Sequence, residues 1–142
     1  CTVNISDAEG FGLATLESLS CETPIIATMT GGLQEQVTDG ENWFGVGLEP
    51  SSTAIIGSQN VPYINEDRIS RESFMQAMRK MYNMTPEERS ELGKLGSQHV
   101  QKNYGFESFN KRWIELIDKV IEEHSSWENR KKYQTWHLKE IA

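Results

Sequence analysis

The sequence predicts an α/β fold: a partial parallel sheet of about three strands with helices, followed by a helical C-terminal region. Three observations lead there. Strand-like runs alternate with helical stretches up to residue 50, two of those runs end in glycine-bearing turns, and from residue 71 onward apolar residues recur with helical spacing.

The first strand is expected over 2–6, Thr2-Val3-Asn4-Ile5-Ser6. A helix over 12–21 follows, with Leu13, Leu16 and Ser20, together with Ala14, expected on its inner side. Pro24-Ile25-Ile26-Ala27-Thr28 is a short apolar run typical of a strand buried on both faces. Thr30-Gly31-Gly32 then turns the chain into a short helix at 33–38, Asp39-Gly40-Glu41-Asn42 is a turn signal, and 44–49 forms a third strand. Strands that alternate with crossover helices pack in parallel, in a Rossmann-like manner. Both glycine turns then lie at the carboxyl ends of neighbouring strands, where open α/β sheets bind ligands, and should line one crevice.

Residues 50–70 show no sustained period and many turn formers, and read as a long loop with at most a short element. A helix over 71–82 places Phe74, Met78, Met81 and Tyr82 on one face. Thr85-Pro86-Glu87-Glu88 opens the next, with Thr85 as N-cap, Pro86 at the first helical position and Glu88 completing a capping box; it should reach about residue 103. Past Gly105, residues Phe109, Trp113, Leu116, Ile117 and Val120 form a stripe expected to be buried in a helix ending near 123. From 125 the pattern thins. The tail, 125–142, carries Trp127, Tyr133 and Trp136 and is expected to dock on another domain or subunit, leaving 1–124 as the main domain.

Composition narrows the classes of function. The chain has 142 residues, 37% apolar and 25% charged, as expected of a globular protein with a single core. No apolar run approaches a bilayer's thickness, so an integral membrane protein is not expected, and a cytoplasmic setting follows by default. Cys1 and Cys21 read as incidental reduced thiols. The net charge of −7, with basic residues scattered among acids, argues against nucleic acid as a partner. Charge is also uneven along the chain: residues 1–67 carry ten acids and no Lys or Arg, and all 14 basic residues lie from Arg68 onward. The chain opens directly in strand-like sequence without an initiator Met, and its beginning is expected to be missing.

The chemistry centres on Glu9-Gly10-Phe11-Gly12-Leu13-Ala14-Thr15-Leu16-Glu17. Gly10 and Gly12 let backbone approach a ligand closely, and the helix that follows offers unpaired N–H groups and a positive dipole end, a place for phosphate. Glu17 lies about one turn inside, roughly 6 Å along the axis from Leu13, with its side chain leaning back toward the N-terminus. Carboxylates repel phosphate but accept paired hydroxyls. Two acids flanking an anion site therefore suit a nucleotide-diphosphate sugar, which carries a sugar on each side of its phosphates. No metal-ligand spacing appears. His99, on an inner or boundary helix face without a Ser or Cys motif, reads as a structural histidine, and His124 and His137 as surface residues.

Together, Asp7-Ala8-Glu9-Gly10-Phe11-Gly12-Leu13, then Glu17, Pro24-Ile25-Ile26-Ala27-Thr28 and Gly31-Gly32-Leu33 closely resemble the group 1 (family 4 type) retaining glycosyltransferases of the GT-B fold. The resemblance rests on roughly the first 50 residues and identifies the chain as the C-terminal, nucleotide-sugar-binding portion of such an enzyme. It implies that Glu9 lies against the transferred sugar, as the catalytic position. Backbone N–H groups of Gly10, Phe11, Gly12 and Leu13 would meet sugar hydroxyls and phosphate, Glu17 the nucleotide ribose, and Gly31 and Gly32 would line the donor site. Transfer of a hexose with retention, no essential metal and no other cofactor are also implied. So is an N-terminal GT-B domain, absent here, that supplies the phosphate-binding cations and the acceptor site. The alternative is a non-catalytic nucleotide-sugar-binding or assembly module that keeps the fold.

Three positions depart from the family pattern. Glu22 stands where glycine is usual after the helix, a place that favours a left-handed backbone; Gln34 replaces a usual proline; and Trp43 stands where a small turn residue is common. An incomplete sheet also leaves an edge open, so homo-oligomers through that edge are expected.

Overall fold

A computed structural model of the protein describes residues 1–126 and Asn129. The first half runs β1 (Thr2–Asn4), α1 (Leu13–Ser20), β2 (Ile25–Thr28), α2 (Leu33–Val37) and β3 (Gly45–Leu48). The three strands form one parallel sheet in the order β1-β2-β3, with Ile26 opposite Val3 on one side and Val46 on the other. Every residue of the central strand is buried, as its unbroken apolar run requires. All three carboxyl ends therefore open on the same side of the sheet, where the Glu9 loop and the Gly31-Gly32 turn begin.

Residues alternate across a strand, so Ile26 shares a face with Val46 and Leu48, and Ala77 and Met81 complete a cluster there. Ala77 and Met81 come from α3 (Arg71–Asn83). Of the four residues expected on one face of α3, Met81 is buried and Phe74 packs against the cluster, but Met78 and Tyr82 are 42% and 85% exposed. The buried line runs through Ala77 instead: four residues before Met81, it stands one turn away, and its small side chain lets the helix approach β3.

The inner side of α1 also differs from expectation. Thr15 and Leu19 are fully buried, whereas Leu13, Ala14 and Ser20 are exposed and Leu16 is half-buried. Leu13, Leu16 and Ser20 make a stripe as regular as Thr15 and Leu19, so periodicity did not choose between them. Contact does: Gly12 and Thr15 face α2, and Leu19 meets Gly96 of α4 (Pro86–Tyr104). The predicted start of α4 is present as drawn, with the Glu88 N–H donating to Thr85 Oγ1 at 3.1 Å and the Thr85 N–H donating to Glu88 Oε2 at 2.7 Å.

Residues 50–70 correct the sequence reading. They form an antiparallel hairpin of β4 (Ser52–Ile56) and β5 (Ile64–Arg68), two paired strands where a long loop with at most a short element was expected. Thr53, Ile55 and Ile56 supply β-branched residues, but two isoleucines in succession break the alternation by which a strand is read. The backbone ladder holds the pair together although Ile55 and Tyr63 are 70% and 81% exposed.

The turn after α2 follows the sequence closely. Asp39 Oδ1 accepts from the N–H groups of Glu41 and Asn42 at 3.0 and 2.7 Å. Bonds from the Asn42 backbone, the Asn42 side chain and the Glu41 backbone stabilise the ionised carboxylate, lowering the Asp39 pKa to about 2.

The chain divides into two compact units, Cys1–Asn103 and Tyr104–Ala142. In the second, α5 (Phe106–His124) carries the predicted stripe, but no residue of this helix is buried, and Phe109, Trp113, Leu116, Ile117 and Val120 are 46–54% exposed. Helical periodicity identifies a face that can be covered, not what covers it. The predicted docking tail lies almost wholly outside the described residues, as does His137.

Candidate functional site

The loop from β1 to α1 and the turn from β2 to α2 lie directly against each other. The Gly32 N–H donates to the Glu9 carbonyl at 3.3 Å, and a Cβ on Gly31 would stand 1.8 Å from that same oxygen. Gly31 has a φ of 49°, so both its backbone conformation and its surroundings demand glycine. At Gly32 a Cβ would meet the Gly10 carbonyl and the Phe11 backbone at 2.8 Å. The two turns thus share one crevice, and the double glycine has a packing reason for being there: it lets the second turn close on the first.

Gly12 ends the first turn with φ 87° and ψ 56° and serves as the N-cap of α1. Having no side chain, it leaves the first N–H groups of the helix uncapped, and no acid occupies the first turn. The positive end of the helix is thus met by no acid of its own first turn. Glu9 is half-buried beside it, its Oε1 accepting from the Phe11 N–H at 3.4 Å. Glu17 is exposed on α1, and among the described residues no hydrogen bond or ion pair holds its carboxylate. The structure therefore brings Glu9, Gly10, Phe11, Gly12, Gly31 and Gly32 together, opens α1 at Leu13, and sets Glu17 farther along the same helix.

Two features escaped the sequence reading. One is a buried polar pair beneath the turn: Gln36, fully buried on α2, donates from Nε2 to the Phe11 carbonyl at 2.5 Å, and its Oε1 accepts from the Thr15 hydroxyl at 2.5 Å. The Thr15 hydroxyl also lies 2.7 Å from the Gly12 carbonyl. A signal was present, since Leu33, Gln36 and Val37 share the inner face of α2, and a polar residue among apolar ones needs partners.

The other feature is an ion pair. Arg68, the first basic residue of the chain, reaches back from β5 to Asp7 and also pairs with Glu66 at 2.6 Å. Hydrogen bonds to Asp7 and Glu66 raise the pKa of its guanidinium. The Asp67 N–H also donates to the Asp7 carbonyl at 2.7 Å, so the hairpin is fastened two residues before Glu9. The distance in sequence concealed this cation from any local reading.

His99 takes the structural role expected of it. Its Nε2–H donates to the Glu35 carbonyl at 2.9 Å, its Nδ1 accepts from Asn103 at 3.0 Å, and the ring stacks on Phe44 with centroids 4.3 Å apart. Cys1 and Cys21 are free and exposed. Among the described residues, no group of three His, Cys, Asp or Glu could hold a metal ion, and no helix is long and apolar enough to cross a membrane.

A parallel sheet with glycine turns meeting at two adjacent strand ends, and an uncapped helix rising from one of them, is the arrangement in which open α/β folds generally bind anionic ligands. The family model for glycosyl transferases group 1 matches residues 1–92, and the chain belongs to that family. Among curated relatives, an uncharacterized glycosyltransferase of Methanocaldococcus jannaschii is 35% identical over 66 residues, covering 46% of this chain and 18% of that protein. The D-inositol 3-phosphate glycosyltransferase of Acidothermus cellulolyticus is 49% identical over 41 residues, covering 29% and 9%. The N-acetyl-alpha-D-glucosaminyl L-malate synthase of Bacillus anthracis is 28% identical over 78 residues, covering 55% and 20%. Among solved structures, sucrose-phosphate synthase from Thermosynechococcus elongatus superposes with a TM-score of 0.61 at 24% identity, over 84% of this chain and 25% of that one. That likeness places the sheet and its helices in the GT-B fold. The matched regions span a fifth or less of each of these three curated relatives.

Proposed function

We propose that this chain supplies the donor half-site of a retaining glycosyltransferase that moves a hexose from a nucleotide-diphosphate sugar to an acceptor. One observation carries the reading: the Glu9 loop and the Gly31-Gly32 turn close on each other at the opening of α1, whose first N–H groups have no cap. Oriented N–H groups at a helix end stabilise a diphosphate, and the acids beside it accept sugar hydroxyls. In this reading Glu9 lies against the transferred sugar, and the N–H groups of Gly10, Phe11, Gly12 and Leu13 meet its hydroxyls and the phosphates. Glu17 accepts from the ribose, while Gly31 and Gly32 line the floor. Phosphate charge is balanced by the helix end and by cations of an accompanying N-terminal domain, without a resident metal, and the enzyme works in the cytoplasm.

Calorimetric titration of the chain with UDP and GDP, beside Glu17→Ala, tests the assignment. Loss of the ribose hydrogen bonds is expected to weaken binding by roughly 1–3 kcal/mol per bond. Equal affinity of the variant and the wild type would remove Glu17 from the site. In a protein with both GT-B domains, transfer is expected to persist in excess EDTA and to give a product with the donor's anomeric configuration.

A further inference from the structure

We propose that Gln36 and Thr15 are positioning residues that hold the Gly10–Gly12 turn in its ligand-binding shape; the inference rests on the donor-site reading above. The Gln36 side chain is fully buried, and its hydrogen bonds go to the turn and to α1, not to its own helix. A buried amide is costly unless its donor and acceptor are both engaged, and here each engages one partner.

In a trans peptide the carbonyl and the following N–H point in opposite directions. Drawing the Phe11 carbonyl onto Gln36 Nε2 therefore aims the Gly12 N–H away from Gln36. The Gly12 carbonyl accepts from the Leu16 N–H at 3.1 Å, which likewise directs the Leu13 N–H out of the start of α1, while the Thr15 hydroxyl, its one proton on Gln36 Oε1, fixes the amide that holds the Phe11 carbonyl. The pair thus orients the Gly12 N–H, which the proposed site presents to phosphate beside the Leu13 N–H of the helix start. It acts on a turn whose glycines give little rigidity of their own. Gln36 also couples the two loops of the crevice, since α2 begins immediately after Gly31-Gly32 while the amide grips the Glu9 side.

The test uses the 142-residue chain, labelled with 15N, as wild type, Thr15→Ser, Thr15→Val and Gln36→Leu. Thr15→Val is nearly isosteric and guards against a Gln36 variant that fails to fold. Order parameters of Phe11, Gly12 and Leu13 are expected near 0.85 in the wild type and Thr15→Ser. They should fall to about 0.6 or below in the other two, with Ile26 and Ala27 unchanged. Unchanged values at the turn in folded Thr15→Val and Gln36→Leu would overturn the proposal whether or not a nucleotide binds. Titration with UDP is expected to show roughly tenfold weaker binding in those two variants and wild-type binding in Thr15→Ser. Wild-type affinity in all of them would also overturn it. A wild-type chain that leaves UDP unbound counts against the donor reading, while the order parameters decide the positioning role independently.

Discussion

At the end of α1 the backbone turns left-handed at a glutamate. Glu22 has a φ of 55°, its N–H donates to the Leu19 carbonyl at 3.0 Å, and the Thr23 N–H donates to the Ser18 carbonyl at 2.9 Å. These two bonds form the Schellman closure, which glycine adopts without strain. Glu22→Gly is therefore expected to stabilise the chain by about 1 kcal/mol, read as a higher denaturant midpoint with unchanged slope. A lower midpoint would mean that the left-handed glutamate is compensated elsewhere. The strain was legible from the residue's place after a helix. The role of Gln36 was not, because its partners, Phe11 and Thr15, lie more than twenty positions away and on two other segments. Residue type reports local backbone demand well, whereas a buried polar side chain declares only that it needs partners, not which they are.

At the scale of elements, no residue of the β4–β5 hairpin strands is fully buried, and the Asp7–Arg68 pair together with the Asp67 N–H bond links the hairpin to the segment before Glu9. Both side chains of the pair are partly solvent-exposed, so the link should weaken with salt. Arg68→Gln is expected to speed proteolytic cleavage between residues 57 and 63 severalfold without changing protection of the parallel sheet. In the wild type, added salt should move cleavage in the same direction. Equal cleavage rates for variant and wild type would assign the attachment to backbone hydrogen bonding alone. The parallel strands, the glycine turns and α4 were legible in sequence because each has a local cause: an apolar run, a backbone that needs glycine, a capping box. The hairpin was not, since its two strands read as polar or unalternating segments and gain their identity only by pairing. The same limit applied to α5, where the stripe was visible in sequence but its exposure among the described residues was not.

For the chain as a whole, the three-stranded sheet has β1 and β3 as its edges among the described residues. Just beside the first edge, Val3 and Ile5 are 40% and 47% exposed. An unpaired strand edge with apolar side chains at hand is a template for another strand, and natural edges are commonly protected by charge or cover. Residues 1–67 carry no Lys or Arg, so this edge lacks the lysines that discourage pairing. The isolated chain is therefore expected to self-associate, with a weight-average mass by light scattering that rises with concentration. The net charge of −7 opposes association over long range but is screened beyond about 8 Å at physiological salt, so raising the salt should strengthen it. Val3→Lys, which places a charge on the edge strand, is expected to return the mass toward that of a monomer. A wild-type mass that stays monomeric across concentration and salt would show that the edge is protected within the chain itself.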